Sequence, residues 1–238
     1  MRPARFHSWN LTPKEASAIQ TTLRDKVEIC LLPEKIRLIA GAGIAFDTGS
    51  NLVYAVVMVL RFPELTLVER RSTIEKVTFP YIPGLLAFRE GPPIVHAFQK
   101  LKNIPDVIMF DAHGLAHPRR FGLASHLGVL FDLPSIGVAK KVLVGSFDEM
   151  KKEQGNYSHL MEGQEEIGLA LQTKDNVNPV YVSIGHRSDL VSSRKLVLAC
   201  ATEYRAPEPI RQAQLMVNSL REGKEIDLNI NGEQTTLF

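Results

Sequence analysis

The chain has 238 residues, 45% of them hydrophobic and 23% charged, with a formal net charge of +2. This is an ordinary globular composition, suited to one α/β domain, and its charge is too small to diagnose nucleic-acid binding by itself. No apolar run of about 18 residues occurs and the first residues lack an apolar signal core, so the expectation is a cytoplasmic protein with no membrane span and no evident protein partner.

The elements follow in chain order. Thr12-Pro13-Lys14-Glu15 starts a helix: Thr12 caps, Pro13 suits the first helical position and Glu15 closes a capping box. Ala16, Ile19, Leu23 and Val27 keep helical spacing after it. Cys30 and Cys200 lie far apart in apolar surroundings and read as buried reduced thiols, and no Cys/His spacing supports zinc. Leu38 to Phe46, Val53 to Arg61 and Leu65 to Val77 read as three strands of an antiparallel meander, with a turn at Asp47 to Asn51. Leu85 to Leu101 is helical but broken at Gly91-Pro92-Pro93, where the prolines start a second helix. Val107 to Phe110 is continuously apolar, as a fully buried central strand would be. A helix over Leu123 to Phe131 and strands at Ser135 to Val138, Ile167 to Gln172 and Val180 to Ile184 come next. Helices over Asp189 to Glu203 and Pro209 to Leu220 follow. The tail after Gly223 is polar and is expected to be loose. The pattern predicts an α/β fold over residues 1–238 as one domain. Its sheet is mixed, an antiparallel meander plus parallel strands, flanked by helices.

The chemistry-bearing residues cluster beyond strand ends. Asp111 ends the apolar strand and leads into Ala112-His113-Gly114-Leu115-Ala116-His117-Pro118-Arg119-Arg120. A carboxylate at such a place can hold a hard cation, and the arginines and a histidine can engage phosphate. The plainer alternative is a turn-capping aspartate beside solvated arginines. Glu90, placed at a helix end, is a second acid of the same kind, or a surface glutamate. Lys140 and Lys141 follow another strand and suit phosphate contact or a solvated pair. Pro80-Tyr81-Ile82-Pro83-Gly84 is stiff and apolar, as a base-unstacking wedge or a tight connection would be. His186 follows a further strand, as a site residue or a structural histidine.

Together these strings resemble endonuclease V. The resemblance is carried by Pro80 to Gly84, Ala87-Phe88-Arg89-Glu90, Asp111, Gly114, His117-Pro118-Arg119-Arg120, Gly122, Ala124-Ser125-His126, Pro134 to Lys140, Gly185-His186 and Pro207-Glu208-Pro209. It runs from about Trp9 to Leu220. The resemblance implies an RNase H-like fold and Mg²⁺- or Mn²⁺-dependent hydrolysis of inosine-containing DNA or RNA. The cut would fall at the second phosphodiester bond 3′ to the lesion, leaving 3′-hydroxyl and 5′-phosphate ends. Asp111 and Glu90 would bind the metal, with Lys140 at the reacting phosphate. Tyr81, Ile82 and Pro83 would form a wedge while the altered base is flipped out. His117 and Arg119 would support phosphate or site.

Two positions depart from the family pattern. Gly43 stands where a strand aspartate ligand is expected, and Asp47, four residues on, lies roughly 13 Å away along a strand. Gln214 stands where an acid or histidine is expected, and a neutral amide binds a hard cation more weakly. The expectation is strongly reduced cleavage with lesion binding partly retained. A non-cleaving inosine-nucleic-acid-binding protein is the alternative from another class. A junction or RNA–DNA hybrid nuclease is a third reading, against which the wedge argues.

Overall fold

The computed structural model describes residues 2–4 and 6–224, so nearly all of the expected loose tail lies outside the described residues. Helix α1, Pro13–Leu23, begins at the expected capping box: Thr12 Oγ1 accepts from Glu15 N–H at 3.3 Å, and Glu15 Oε2 accepts from Thr12 N–H at 2.8 Å. The helix ends before Val27, because the chain tightens into a 3₁₀ turn over Arg24–Lys26.

Three long strands then pair as an antiparallel meander: β1 (Leu38–Asp47), β2 (Leu52–Arg61) and β3 (Thr66–Lys76). After helix α2 (Leu86–Gln99), strand β4 (Val107–Phe110) enters the sheet parallel to β1, and every one of its residues is buried. Helix α3 (Leu123–Phe131) leads into β5 (Ser135–Ala139), parallel to β4. Strands β6 (Tyr157–Glu162), β7 (Glu165–Leu171) and β8 (Val180–His186) complete an eight-stranded sheet of order β3-β2-β1-β4-β5-β8-β7-β6. Helices α4 (Leu190–Cys200) and α5 (Glu208–Arg221) follow. Among the described residues no helix is long and apolar enough to cross a membrane.

The period of two along β1 divides the core. Ala40 and Ala42 join Phe88, Phe98, Phe110 and Leu127 beneath α2 and α3. On the other face Ile39 packs with Val197 and Ile210, and Ala45 packs with Ala213 and Val217, under α4 and α5. Alternate residues of one strand thus serve opposite layers.

Three expectations need correction. Pro92 and Pro93 do not divide the helix; both lie inside a continuous α2. Each proline removes a donor to the carbonyl four residues earlier, which costs about 3 kcal/mol in a helix interior. Burial of Phe88, Ile94, Val95 and Phe98 on both sides of the pair holds the axis together. Glu90 consequently sits in the second turn of α2 rather than at a helix end. Cys30 is exposed, while Cys200 is buried, and burial pushes its thiol up to about 12. Strand β6 escapes apolar periodicity because Leu160 is its one fully buried residue.

Candidate active site

Strand β4 pairs in register with β1 as far as Phe110 beside Ala42, and Asp111 is the first residue past its end. Helix α2 crosses this end of the sheet and brings Glu90 to the same place. The two acids line one cavity of about 190 Å³ with Ala42, Ile44, Phe110 and Gln214 of α5. Burial and the neighbouring Asp111 carboxylate push the Glu90 carboxyl up to about 8, with Arg89 opposing. Two like charges in one low-dielectric pocket resist joint ionisation unless a cation joins them.

Lys140, one residue beyond β5, forms an ion pair with Asp111. Its side chain is half exposed, so the pair is open to solvent on the lysine side. Gln214 spends its amide N–H groups on Ile44 O at 3.1 Å and Asn218 Oδ1 at 3.3 Å. Its amide oxygen is the atom left for a ligand. His113, two residues past Asp111, is held neutral by burial, which lowers it to about 4.

This donor set fits a hard divalent cation in an open site. Mg²⁺ is commonly held by one or two carboxylates, with water and substrate phosphate completing the shell. Glu90 and Asp111 supply that minimum. Among the described residues no group of three or more His, Cys, Asp or Glu side chains converges.

The expected third carboxylate is absent at Gly43, and the fold shows what occupies its place. An ideal Cβ built on Gly43 would lie 2.4 Å from Ala213 O, and one on Gly41 would lie 2.0 Å from Pro209 O. Two strand residues advance about 6.6 Å and four helix residues about 6.0 Å. Residues 41 and 43 therefore match 209 and 213, and α5 lies along a track that lacks side chains. Asp47 cannot compensate, since its carboxylate accepts from Gly49 N–H at 2.9 Å and Ser50 Oγ–H at 2.5 Å in the β1–β2 turn.

The proline-bounded segment is held from its base. Tyr81 is 70% exposed, whereas Ile82 packs against the core beneath α2. Pro83 is exposed and Gly84 has a φ of +80°, a turn that favours glycine. The Gly84 carbonyl accepts three hydrogen bonds: from Arg119 Nη2 at 2.6 Å, His117 Nε2 at 2.9 Å and Gln20 Nε2 at 3.0 Å. Gln20 Oε1 in turn accepts from Arg119 Nε at 2.6 Å.

His117 is 3% exposed, and its Nδ1 accepts from Arg119 N–H at 3.1 Å. Both of its ring nitrogens are therefore engaged inside the protein, on Gly84 O and Arg119 N–H. Arg119 turns onto Gly84 and Gln20 in the same way. Arg120 pairs instead with Glu162 and Glu165 of the β6–β7 hairpin. His186 is buried, with Nδ1 accepting from Glu28 N–H at 3.2 Å and Nε2 facing Asp132, as a structural histidine would be.

Gln20 escaped the sequence reading. Its signal was phase: a polar residue four beyond Ala16 and three before Leu23, on the buried stripe of α1.

A sheet of this order, with an acid past the end of its central parallel strand and a second brought to it by α2, defines an RNase H-like α/β protein of the nuclease kind. The comparisons narrow that class. The endonuclease V family model matches residues 21–215. Endonuclease V of Gloeobacter violaceus is 44% identical over 230 residues, covering 95% of this chain and 93% of that one. The crystal structure of endonuclease V from Streptomyces avermitilis superposes with a TM-score of 0.85 at 41% identity, covering 91% of this chain and 96% of that one. Ciona intestinalis endonuclease V, solved with a 24mer DNA containing an inosine followed by a ribo-adenosine, gives a TM-score of 0.79 at 30% identity, covering 88% and 98%. The chain belongs to the endonuclease V family.

Proposed function

We propose that this chain is a DNA-repair-type endonuclease that recognises deaminated purines, chiefly inosine, in DNA or RNA. It hydrolyses the second phosphodiester bond 3′ to the lesion and leaves 3′-hydroxyl and 5′-phosphate ends. The observation that carries the reading is that Glu90 and Asp111 line one cavity and Lys140 pairs with Asp111, in a chain that keeps an exposed Tyr81 on a braced turn. The inosine-containing strand in the Ciona relative supports the substrate class.

Glu90 and Asp111 would hold the divalent cation, Mg²⁺ with Mn²⁺ accepted, and the Gln214 amide oxygen would be a weaker third donor. When bound, the cation supplies a more acidic water and stabilises charge on the phosphate oxygens. Lys140 leaves Asp111 for the reacting phosphate and fixes its position. Tyr81 and Pro83 enter the base stack, with Ile82 as the root. His117, Arg119 and Gln20 act through Gly84 and keep the wedge rigid. Flipping costs least where pairing is already weakened, which directs the protein to altered bases.

Gly43 favours a second reading in which lesions are bound but scarcely cut. The test uses labelled inosine strands and adenosine controls with Mg²⁺ and with Mn²⁺, scoring binding and cleavage together. We expect selective binding and slow, metal-dependent cleavage that Asp111→Asn abolishes while binding persists. Binding without any cleavage selects the second reading. Equal treatment of inosine and adenosine removes both.

A further inference from the structure

Lys140, the partner of Asp111, lines a second, larger cavity of about 480 Å³, between the β5–β6 loop and the neighbouring ends of β7 and β8. That volume lies within the ordinary range for small-ligand sites. Lys141 and Lys152 add two cationic side chains to its wall, against the one carboxylate of Glu149. Phe147 and Tyr181 form an aromatic pair in it, with ring centroids 5.6 Å apart. Tyr181 sits on β8 opposite Ala139, the residue before Lys140. Arg205 braces the floor, donating through Nη2 to Lys140 O at 2.8 Å and Pro179 O at 2.6 Å. Gln172 is fully buried in the wall, its amide nitrogen donates to Lys174 O and Val177 O, and its amide oxygen has no partner. A buried acceptor without a donor is costly.

Aromatic faces beside lysines are how sequence-tolerant sites hold a single strand: bases stack and ammonium groups follow the phosphates. We propose that this cavity is the subsite for the nucleotide that follows the scissile phosphate on its 3′ side. The inference rests on the reaction proposed above and adds where the strand goes after the cut. Lys140 pairs with Asp111 of the first cavity and itself lines the second, so a phosphate beside Asp111 has its next nucleotide at this opening. None of the cavity wall comes from the wedge or from residues 111–122, so the lesion end of the strand lies elsewhere. Tyr181 stacks on the base, Lys141 and Lys152 face its phosphates, and the Gln172 oxygen is the acceptor available to a base N–H.

The test is anisotropy with the full chain in EDTA. The probes are labelled single strands ending one nucleotide 3′ of inosine, or extended by two more nucleotides, each with an adenosine control. The native chain should bind the extended inosine strand roughly tenfold tighter than the short one. Tyr181→Ala should lose most of that gain and still hold the short strand normally, and Tyr181→Phe should keep it. Lys152→Ala, an exposed change with no burden on folding, should lower the gain and reduce the log–log salt slope by about 0.7. No length gain in the native chain, or a gain that survives both alanine variants, overturns the subsite. A length gain without inosine preference supports the subsite and overturns the lesion reading; inosine preference without a length gain does the reverse.

Discussion

Gly43 is the residue at which sequence and structure give different kinds of information. The resemblance leads one to expect a carboxylate there; the structure shows α5 lying in the space that its side chain would need. Gly43→Asp should therefore lower stability by about 1–3 kcal/mol, as overpacking does. Urea unfolding measures this, and a variant as stable as its parent would mean that α5 yields freely. The local pattern made Asp111, Glu90 and Lys140 legible, since each is an acid or base beyond or beside an apolar run. It left the roles of His117 and Arg119 open. Their partner is the carbonyl of Gly84, 33 and 35 residues earlier in the chain, and no spacing rule reaches that far.

Among the elements, α1 looks like a bystander, since it lies outside the sheet and contributes no acid. Its Gln20 nevertheless bonds Gly84 O, Phe121 O and Arg119 Nε together. Gln20→Ala should cost about 1–3 kcal/mol by leaving buried partners unsatisfied. It should also weaken binding to a paired inosine duplex more than to a single strand, because only the duplex needs a rigid wedge. Equal losses on the two substrates in side-by-side titrations would argue against bracing. Most elements were legible because capping boxes, apolar runs and glycine turns are local. The unbroken α2 was not, because the packing that carries it across Pro92 and Pro93 is tertiary. Edge strand β6 was missed for the opposite reason, having almost nothing buried to reveal it.

Over the whole molecule, burial governs the histidines. His7, His113, His117, His126 and His186 are all lowered from 6.5, with burial the largest cause in each. A histidine depressed in the folded state takes up its proton on unfolding, so stability present above pH 6.5 is lost as pH falls through the folded value. Each such group contributes a slope of at most about 1.4 kcal/mol per pH unit. Glu90 works in the other direction: raised from 4.5 to about 8, it favours folding at low pH and withdraws that stability as pH rises through 8. Five groups outweigh one below pH 6.5, and Glu90 acts alone between 6.5 and 8. The metal-free chain should thus be most stable near pH 6.5, read from chemical unfolding midpoints between pH 5 and 8.5. A midpoint rising steadily to pH 8.5 would contradict it. Strand order at this scale was legible only in part: the meander and the central strand follow from pattern, while the antiparallel placement of β8, β7 and β6 does not.

The three hydrogen bonds on the Gly84 carbonyl have a mechanical consequence. The wedge proposed above, driven between bases, would behave as a cantilever, loaded at Tyr81 and clamped at its root. The clamp here is a single oxygen gripped from a helix and from a loop, with Ile82 as a second footing in the core. Load at the tip passes through that oxygen into α1 and into the segment that begins at Asp111. In the proposed reaction, insertion of the wedge and alignment of the acid beside the reacting phosphate would therefore be deflections of one connected beam.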